Sequence, residues 1–266
     1  MEGDSDTVAF FYIRQKIRFC FRLAYSKLNR VAAINPAFKS HALAMRRCPL
    51  CTSEETAPFY QDRKRCIYRC KRCMLLFADA NSHLPPSAEV KRYRSANSKD
   101  KPLQQFLSSL ITQCEQQVQG PLLGLNFGRL LNPQAIDAIK ARGHQLNQYD
   151  PHFAPDHTLL RLEYDFICCY RVFEHFRFPG KEWQLLCSLL KPGGWMAIST
   201  QLLTELQGFP KWHHKNNLTH VSFYQQATFQ YLASQAEFRL LFASKDLILV
   251  QKPTGSGITR DPSSLI

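Results

Sequence analysis

From residue 122 onward the sequence alternates short apolar runs with amphipathic stretches, and no other feature restricts the fold as strongly. Residues 122–127 read as a buried strand, 133–142 as a helix closed by Gly143, and 144–150 as a second strand. A third strand is expected at 164–172, nearly all apolar through Phe166, Ile167, Cys168 and Cys169. A helix over 181–190 leads through the Lys-Pro-Gly-Gly turn at 191–194 into a strand at 195–200. After a helix at 226–234, residues 238–242 and 246–251 form a terminal hairpin joined at 243–245. This order specifies an α/β chain: a mostly parallel sheet with helices on both faces and an antiparallel end. A hydrophobic content of 45% is enough to bury its core.

A second constraint precedes that region. Cys48-x-x-Cys51 and Cys70-x-x-Cys73 are 18 residues apart, and two such pairs put four thiolates at the corners of one tetrahedron. The expected ligand is Zn²⁺. With four sulfurs no position is left for water, so the metal is structural. Cys66 is the spare thiol of this segment. The chain then divides into a basic helical extension (1–47), a zinc ribbon (48–84), an α/β domain (85–253) with a helix around 101–112 at its start, and a flexible tail (254–266).

The net charge of +13 is unevenly spread: residues 1–47 carry nine Lys/Arg against three acids, a surplus of six. A helix over 7–31 shows an apolar stripe of Phe10, Ile13, Ile17, Phe21, Ala24 and Leu28 between basic residues. It can pack on its own domain or touch a membrane surface. A start at Met45 would remove it. Nucleic acid is a further partner that this charge allows, but the ribbon offers only Tyr68 and Phe77 for stacking. Charged residues interrupt the first twenty positions and no run is long enough to span a bilayer, so a reducing cytoplasm is expected for the ten cysteines.

In an open α/β sheet, ligands bind beyond the carboxyl ends of the strands. The first strand here runs into Asn126-Phe127-Gly128-Arg129-Leu130-Leu131-Asn132, and the second ends in Tyr149-Asp150-Pro151. A carboxylate at Asp150 can accept both hydroxyls of a ribose, although a turn former before proline would look the same.

These segments, with Tyr164-Asp165-Phe166-Ile167, Val172-Phe173-Glu174-His175-Phe176 and Leu189-Leu190-Lys191-Pro192-Gly193-Gly194-Trp195, resemble the class I S-adenosylmethionine (SAM)-dependent methyltransferases. Trp212-His213-His214 and Thr219-His220-Val221-Ser222-Phe223-Tyr224 extend the resemblance to bacterial members with an N-terminal zinc ribbon. The resemblance implies a Rossmann-like, seven-stranded sheet with SAM as cofactor. The 126–132 loop (Asn126, Gly128, Leu130, Asn132) would cradle the methionine part and Asp150 the ribose. Residues 168–174, including Tyr170 and Arg171, would line the cleft floor, and 212–224 would select the acceptor. Three departures stand out. Asn126, Leu130 and Asn132 replace an Asp and two glycines of the usual loop, Arg171 replaces an acid, and Asn217-Leu218-Thr219-His220 replaces Asp-Pro-Thr-His.

Methyl transfer needs alignment, and a base only where the acceptor carries a proton. His175 and His220 are the candidates, since imidazole titrates near neutrality. Either can equally be a hydrogen-bonded scaffold residue. A second metal on His213, His214 and His220 has no familiar spacing. Two classes therefore stay open: a methyltransferase acting on a small molecule or modified polymer, and a methyltransferase fold that has lost its cofactor and serves as a binding module.

Overall fold

The structure is a computed structural model, and it describes residues 46–95 and 100–254. The helix expected at 7–31, with its membrane reading, and the tail beyond 254 lie outside the described residues.

The large sheet contains β4 (Leu123–Phe127), β5 (Gln145–Tyr149), β6 (Tyr164–Tyr170), β7 (Leu190–Ser199), β9 (Arg239–Ser244) and β10 (Leu247–Gln251). Its order is β5-β4-β6-β7-β10-β9. The first four strands are parallel, and the hairpin adds two antiparallel ones, with Leu249 opposite Ala197. The strand β6 is buried at every position except Asp165 and Tyr170, as expected of a central strand covered on both faces.

The sheet has six strands among the described residues, where seven were expected. The missing one would lie outside β5. Residues 150–163 instead form a turn at Asp150 and a short 3-10 helix at His157–Arg161 before the chain enters β6. A parallel crossover needs a dozen or more residues for its connection alone, and this segment has no room for that and a strand.

Helices pack where the apolar periodicity puts them. α1 (Pro86–Ser95) and α2 (Asp100–Glu115) precede the sheet. Leu103, Leu107, Leu110, Ile111 and Cys114 of α2 join Phe166 and Cys168 of β6 in one core cluster. α3 (Pro133–Ala141) starts at Asn132, whose side chain accepts from Ala135 N at 2.9 Å, with proline in the first turn. α4 (Pro179–Leu189) and α5 (Gln226–Ala236) bury Trp183, Leu186, Phe229 and Leu232.

A second sheet holds the cysteine pairs: β1 (Thr56–Gln61), β2 (Cys66–Cys70), β3 (Leu76–Ala78) and β8 (Ser222–Phe223), all antiparallel. Its fourth strand comes from the far end of the chain, with Leu76 opposite Phe223. Ile67 and Leu76 share a buried cluster with Leu203, Phe209, Val221 and Phe223. Gly180, at the start of α4, sits against the first cysteine turn: its N–H donates to Pro49 O, and a Cβ there would lie 2.3 Å from Leu50 O.

Candidate functional site

The strands β4, β5 and β6 end side by side, and one cavity of about 1270 Å³ opens above them. Gly128, Leu130, Asp150, Tyr170, Arg171, His175 and His220 all lie on its wall. Gly128 is required twice over. Its φ is +104°, and a Cβ would meet Val172 Cγ2 at 2.9 Å, so the loop can fold close over the floor only without a side chain. Leu130 stands half-buried on the wall. Asp150 Oδ1 accepts from His152 N (2.7 Å) and Phe153 N (2.9 Å), so this residue is a turn former and also faces the cavity.

Asn126 and Asn132 are not on that wall. Asn132, which would have cradled the cofactor by the resemblance, is occupied as the cap of α3 with φ −71°. Asn126 is buried and donates to Arg129 O and Gln148 Oε1. The same Gln148 oxygen accepts from Leu131 N, pinning the loop to β5. Left-handed backbone appears at Arg171 (φ +54°), where β6 turns into the cavity floor.

Two guanidinium atoms on the wall are orphaned. Arg129 Nη2 and Arg171 Nε are buried with no hydrogen-bond partner among the described residues. Buried N–H groups without acceptors cost free energy, and an anionic ligand group satisfies them. The cavity also exceeds the roughly 300–1,000 Å³ of ordinary small-molecule clefts. The residues present therefore fit a ligand that carries a carboxylate and a ribose, both of which SAM has.

On the opposite wall, the floor segment after β6 is stitched to the 219–224 segment. Val221 N donates to Glu174 O, Ser222 Oγ to Phe176 O, and Tyr224 OH to Phe173 O. His175 Nδ1 lies 3.0 Å from Thr219 O and donates to it, leaving Nε2 with its lone pair. His220 contributes differently. Asn217 Oδ1 accepts from Thr219 N and Oγ1, which orients the amide so that its nitrogen donates to His220 Nε2 at 2.9 Å. The other nitrogen, Nδ1, donates to His214 O. Burial pushes His220 down to about 2 and His214 down to about 4, so both rings are neutral near pH 7.

Glu174, His214 and His220 bring potential ligand atoms within 4.8 Å of one another. Both nitrogens of His220 are engaged, however, and Glu174 Oε2 accepts from Thr200 Oγ1 at 2.8 Å. His214 Nε2 stands 3.9 Å from Glu174 Oε1, beyond hydrogen-bond distance, so Glu174 and His220 are each held by other partners.

Sequence reasoning missed three contributors. Tyr93, ahead of the helix expected at 101–112, sets its ring edge-on to His175 at 5.2 Å, and Glu89 one turn earlier holds both Tyr93 OH and Arg177. Arg129 sat at an unconstrained position of the loop. Arg65, between β1 and β2, is buried, and its guanidinium donates to the carbonyls of Lys215, Asn217 and His220. A run of Asp-Arg-Lys-Arg gives no signal that one of its cations turns inward.

The four cysteines converge as their spacing predicts. Cys48–Cys73 and Cys51–Cys70 each have Sγ atoms 3.5 Å apart, near the edge of about 3.8 Å that a tetrahedron with Zn–S bonds of about 2.3 Å requires. The two turns repeat one geometry. Cys48 N donates to Ser53 O and Cys70 N to Leu75 O, and the residue after each second cysteine is left-handed, Thr52 at +60° and Met74 at +62°. The donor set fits a structural divalent cation. Cys66 is buried outside the cluster.

A family model described as a methyltransferase domain matches residues 95–242, and the chain belongs to that family. Its fold is that of a SAM-dependent methyltransferase. Among solved structures it is similar to the 1,6-didemethyltoxoflavin-N1-methyltransferase of Burkholderia thailandensis with bound 1,6-didemethyltoxoflavin and S-adenosylhomocysteine. That similarity covers 74% of this chain and 99% of the other, at 14% identity and a TM-score of 0.44. A putative methyltransferase from Bacillus halodurans is 12% identical over 55% of this chain and 100% of the other, with a TM-score of 0.38. A SAM-dependent methyltransferase from Archaeoglobus fulgidus is 12% identical over 56% and 94%, with a TM-score of 0.39. No curated protein sequence matches the chain. Among the described residues, no helix is long and apolar enough to cross a membrane.

Proposed function

We propose that the protein transfers the methyl group of SAM to a small molecule, or to an accessible group on a modified polymer, with His175 as the base. The observation that carries this reading is that Gly128, Asp150 and His175 line one cavity. SAM supplies an electrophilic methyl on a sulfonium. The 128–130 backbone receives its methionine part, Arg129 and Arg171 receive its carboxylate, and the Asp150 oxygen not used by the turn accepts from the ribose. His175 presents Nε2 to the acceptor's proton because Thr219 O holds Nδ1–H. His220, capped on both nitrogens, serves the site by fixing the loop that carries Thr219.

In the same reading the ribbon holds one structural Zn²⁺ on Cys48, Cys51, Cys70 and Cys73. None of the nine described cysteines forms a disulfide, which suits a reducing cytoplasm.

Calorimetry with S-adenosylhomocysteine tests the cofactor site. Saturable one-to-one binding is expected, weakened at least tenfold in Asp150→Ala. His175→Ala should retain that binding while kcat falls by about 10²–10⁴-fold, the usual contribution of a positioned base. Absence of saturable binding would instead favour the binding-module reading.

A further inference from the structure

The loop that carries His220 has two working faces. Asn217, Thr219 and His220 line the large cavity, whereas Lys215 and Asn216 line a second, smaller one of about 290 Å³ on the other side. Leu218, together with Asp62, Arg63, Lys64 and Arg65 of the turn between β1 and β2, completes the smaller cavity. Four cations thus surround it, against a single carboxylate. Asp62 is directed at its own turn, with Oδ1 accepting from Lys64 N at 2.8 Å and Arg65 N at 3.0 Å.

Two of these cations are buried: Arg65 is 6% exposed and Lys215 8%. Neither is paired with a carboxylate among the described residues. Arg65 spends its donors on backbone carbonyls and lies over the Phe223 ring at 5.5 Å. Lys215 Nζ donates to Asn216 Oδ1 at 3.1 Å and sits 5.0 Å from the Tyr60 ring centre. Neutral oxygens and aromatic faces solvate these cations without cancelling their charge. Asp62 offsets part of the charge at Arg65, and the surplus of cations leaves a net positive field in the cavity.

We propose that this second cavity is a binding site for a phosphate group. The volume admits a phosphate, and the open mouth lets an ester substituent extend outward. Lys215 and the exposed Arg63 and Lys64 supply N–H donors to the anion, while Arg65 contributes charge from behind the carbonyls it holds. The phosphate has two chemical sources: an ester carried by the acceptor, reaching round the loop from the large cavity, or a free inorganic anion. The site itself does not rest on the methyltransferase reading, because phosphate alone probes it.

Calorimetry of the full-length, zinc-loaded protein with inorganic phosphate, at fixed ionic strength and with chloride as control, is the test. Saturable one-to-one binding is expected, weakened at least tenfold in the Arg63→Ala/Lys64→Ala double variant, whose side chains are exposed and leave the fold alone. Lys215→Met should weaken it further. Phenyl phosphate binding as tightly as inorganic phosphate assigns the site to an esterified acceptor, and its exclusion assigns it to the free anion. No saturable phosphate binding, or equal affinity in the wild type and the double variant, overturns the proposal. Binding of S-adenosylhomocysteine is measured on the same samples, so failure at one cavity is separable from failure at the other.

Discussion

The Asn217 amide nitrogen donates to His220 Nε2 across 2.9 Å, and this one bond decides which histidine of the pair can accept a proton. The rings of His175 and His220 stand 4.8 Å apart, so proximity alone does not separate them. An aspartate at 217 would accept where the amide donates. With Nδ1–H already committed to His214 O, His220 would then carry both protons. Asn217→Asp is therefore expected to raise the His220 pKa from about 2 toward neutrality, read from imidazole nitrogen shifts in an NMR titration. An unmoved titration would contradict the assigned hydrogen-bond directions.

The loop at Gly128 makes opposite predictions for two neighbouring substitutions. Gly128→Ala forces a left-handed alanine against Val172, with a loss of stability of about 1–2 kcal/mol from the backbone alone and loss of S-adenosylhomocysteine binding. Leu130→Gly removes a branched side chain from the cavity wall and should tighten that binding several-fold. Thermal melts and calorimetry on both variants check the pair.

Acid should weaken the protein in a window set by its buried imidazoles. His214 and His220 are held neutral, at about 4 and about 2, against an ordinary value near 6.5. Their folded pKa values are depressed, so the stability they support is complete above pH ~6.5 and is lost as pH falls toward 4 and below. The unfolded chain takes up protons that the folded one refuses. Melting temperatures between pH 7.5 and 4.5 should fall, and His214→Phe should flatten that slope.

Removing the metal should be felt at the loop 214–221. Arg65 ties the turn between β1 and β2 to the carbonyls of residues 215, 217 and 220, and Gly180 abuts the first cysteine turn. One zinc per chain is expected from a chromogenic chelator assay. Chelation, or Cys48→Ser, should then raise hydrogen exchange across 214–221 together with the ribbon. Exchange confined to 48–78 would show that the two parts are energetically independent.

Local pattern carried much of this in advance. The parallel strands, helices α3 to α5, the terminal hairpin and the paired cysteine turns were legible because each depends on residues close in sequence. Asp150 and Gly128 were legible for the same reason: both are turn residues at strand ends. What escaped depends on distant partners. The strand β8 is two residues long, and its pairing with β3 is set by burial of Phe223, which no local period announces. The absent seventh strand was a matter of available length between β5 and β6. Tyr93, Arg129 and Arg65 are ordinary surface types whose roles appear only once the chain has folded over them.

The pairing of Leu76 with Phe223 also has a consequence in time. During synthesis the cysteine turns emerge first and can close on their metal while the ribosome is still making the large sheet. Until residue 223 leaves the exit tunnel, β3 presents an unsatisfied edge of backbone donors and acceptors, the kind of surface that recruits wrong partners. The late-arriving stretch 219–223 thus completes both the first structure formed and the wall of the large cavity, so a chain truncated before it would leave each of them open.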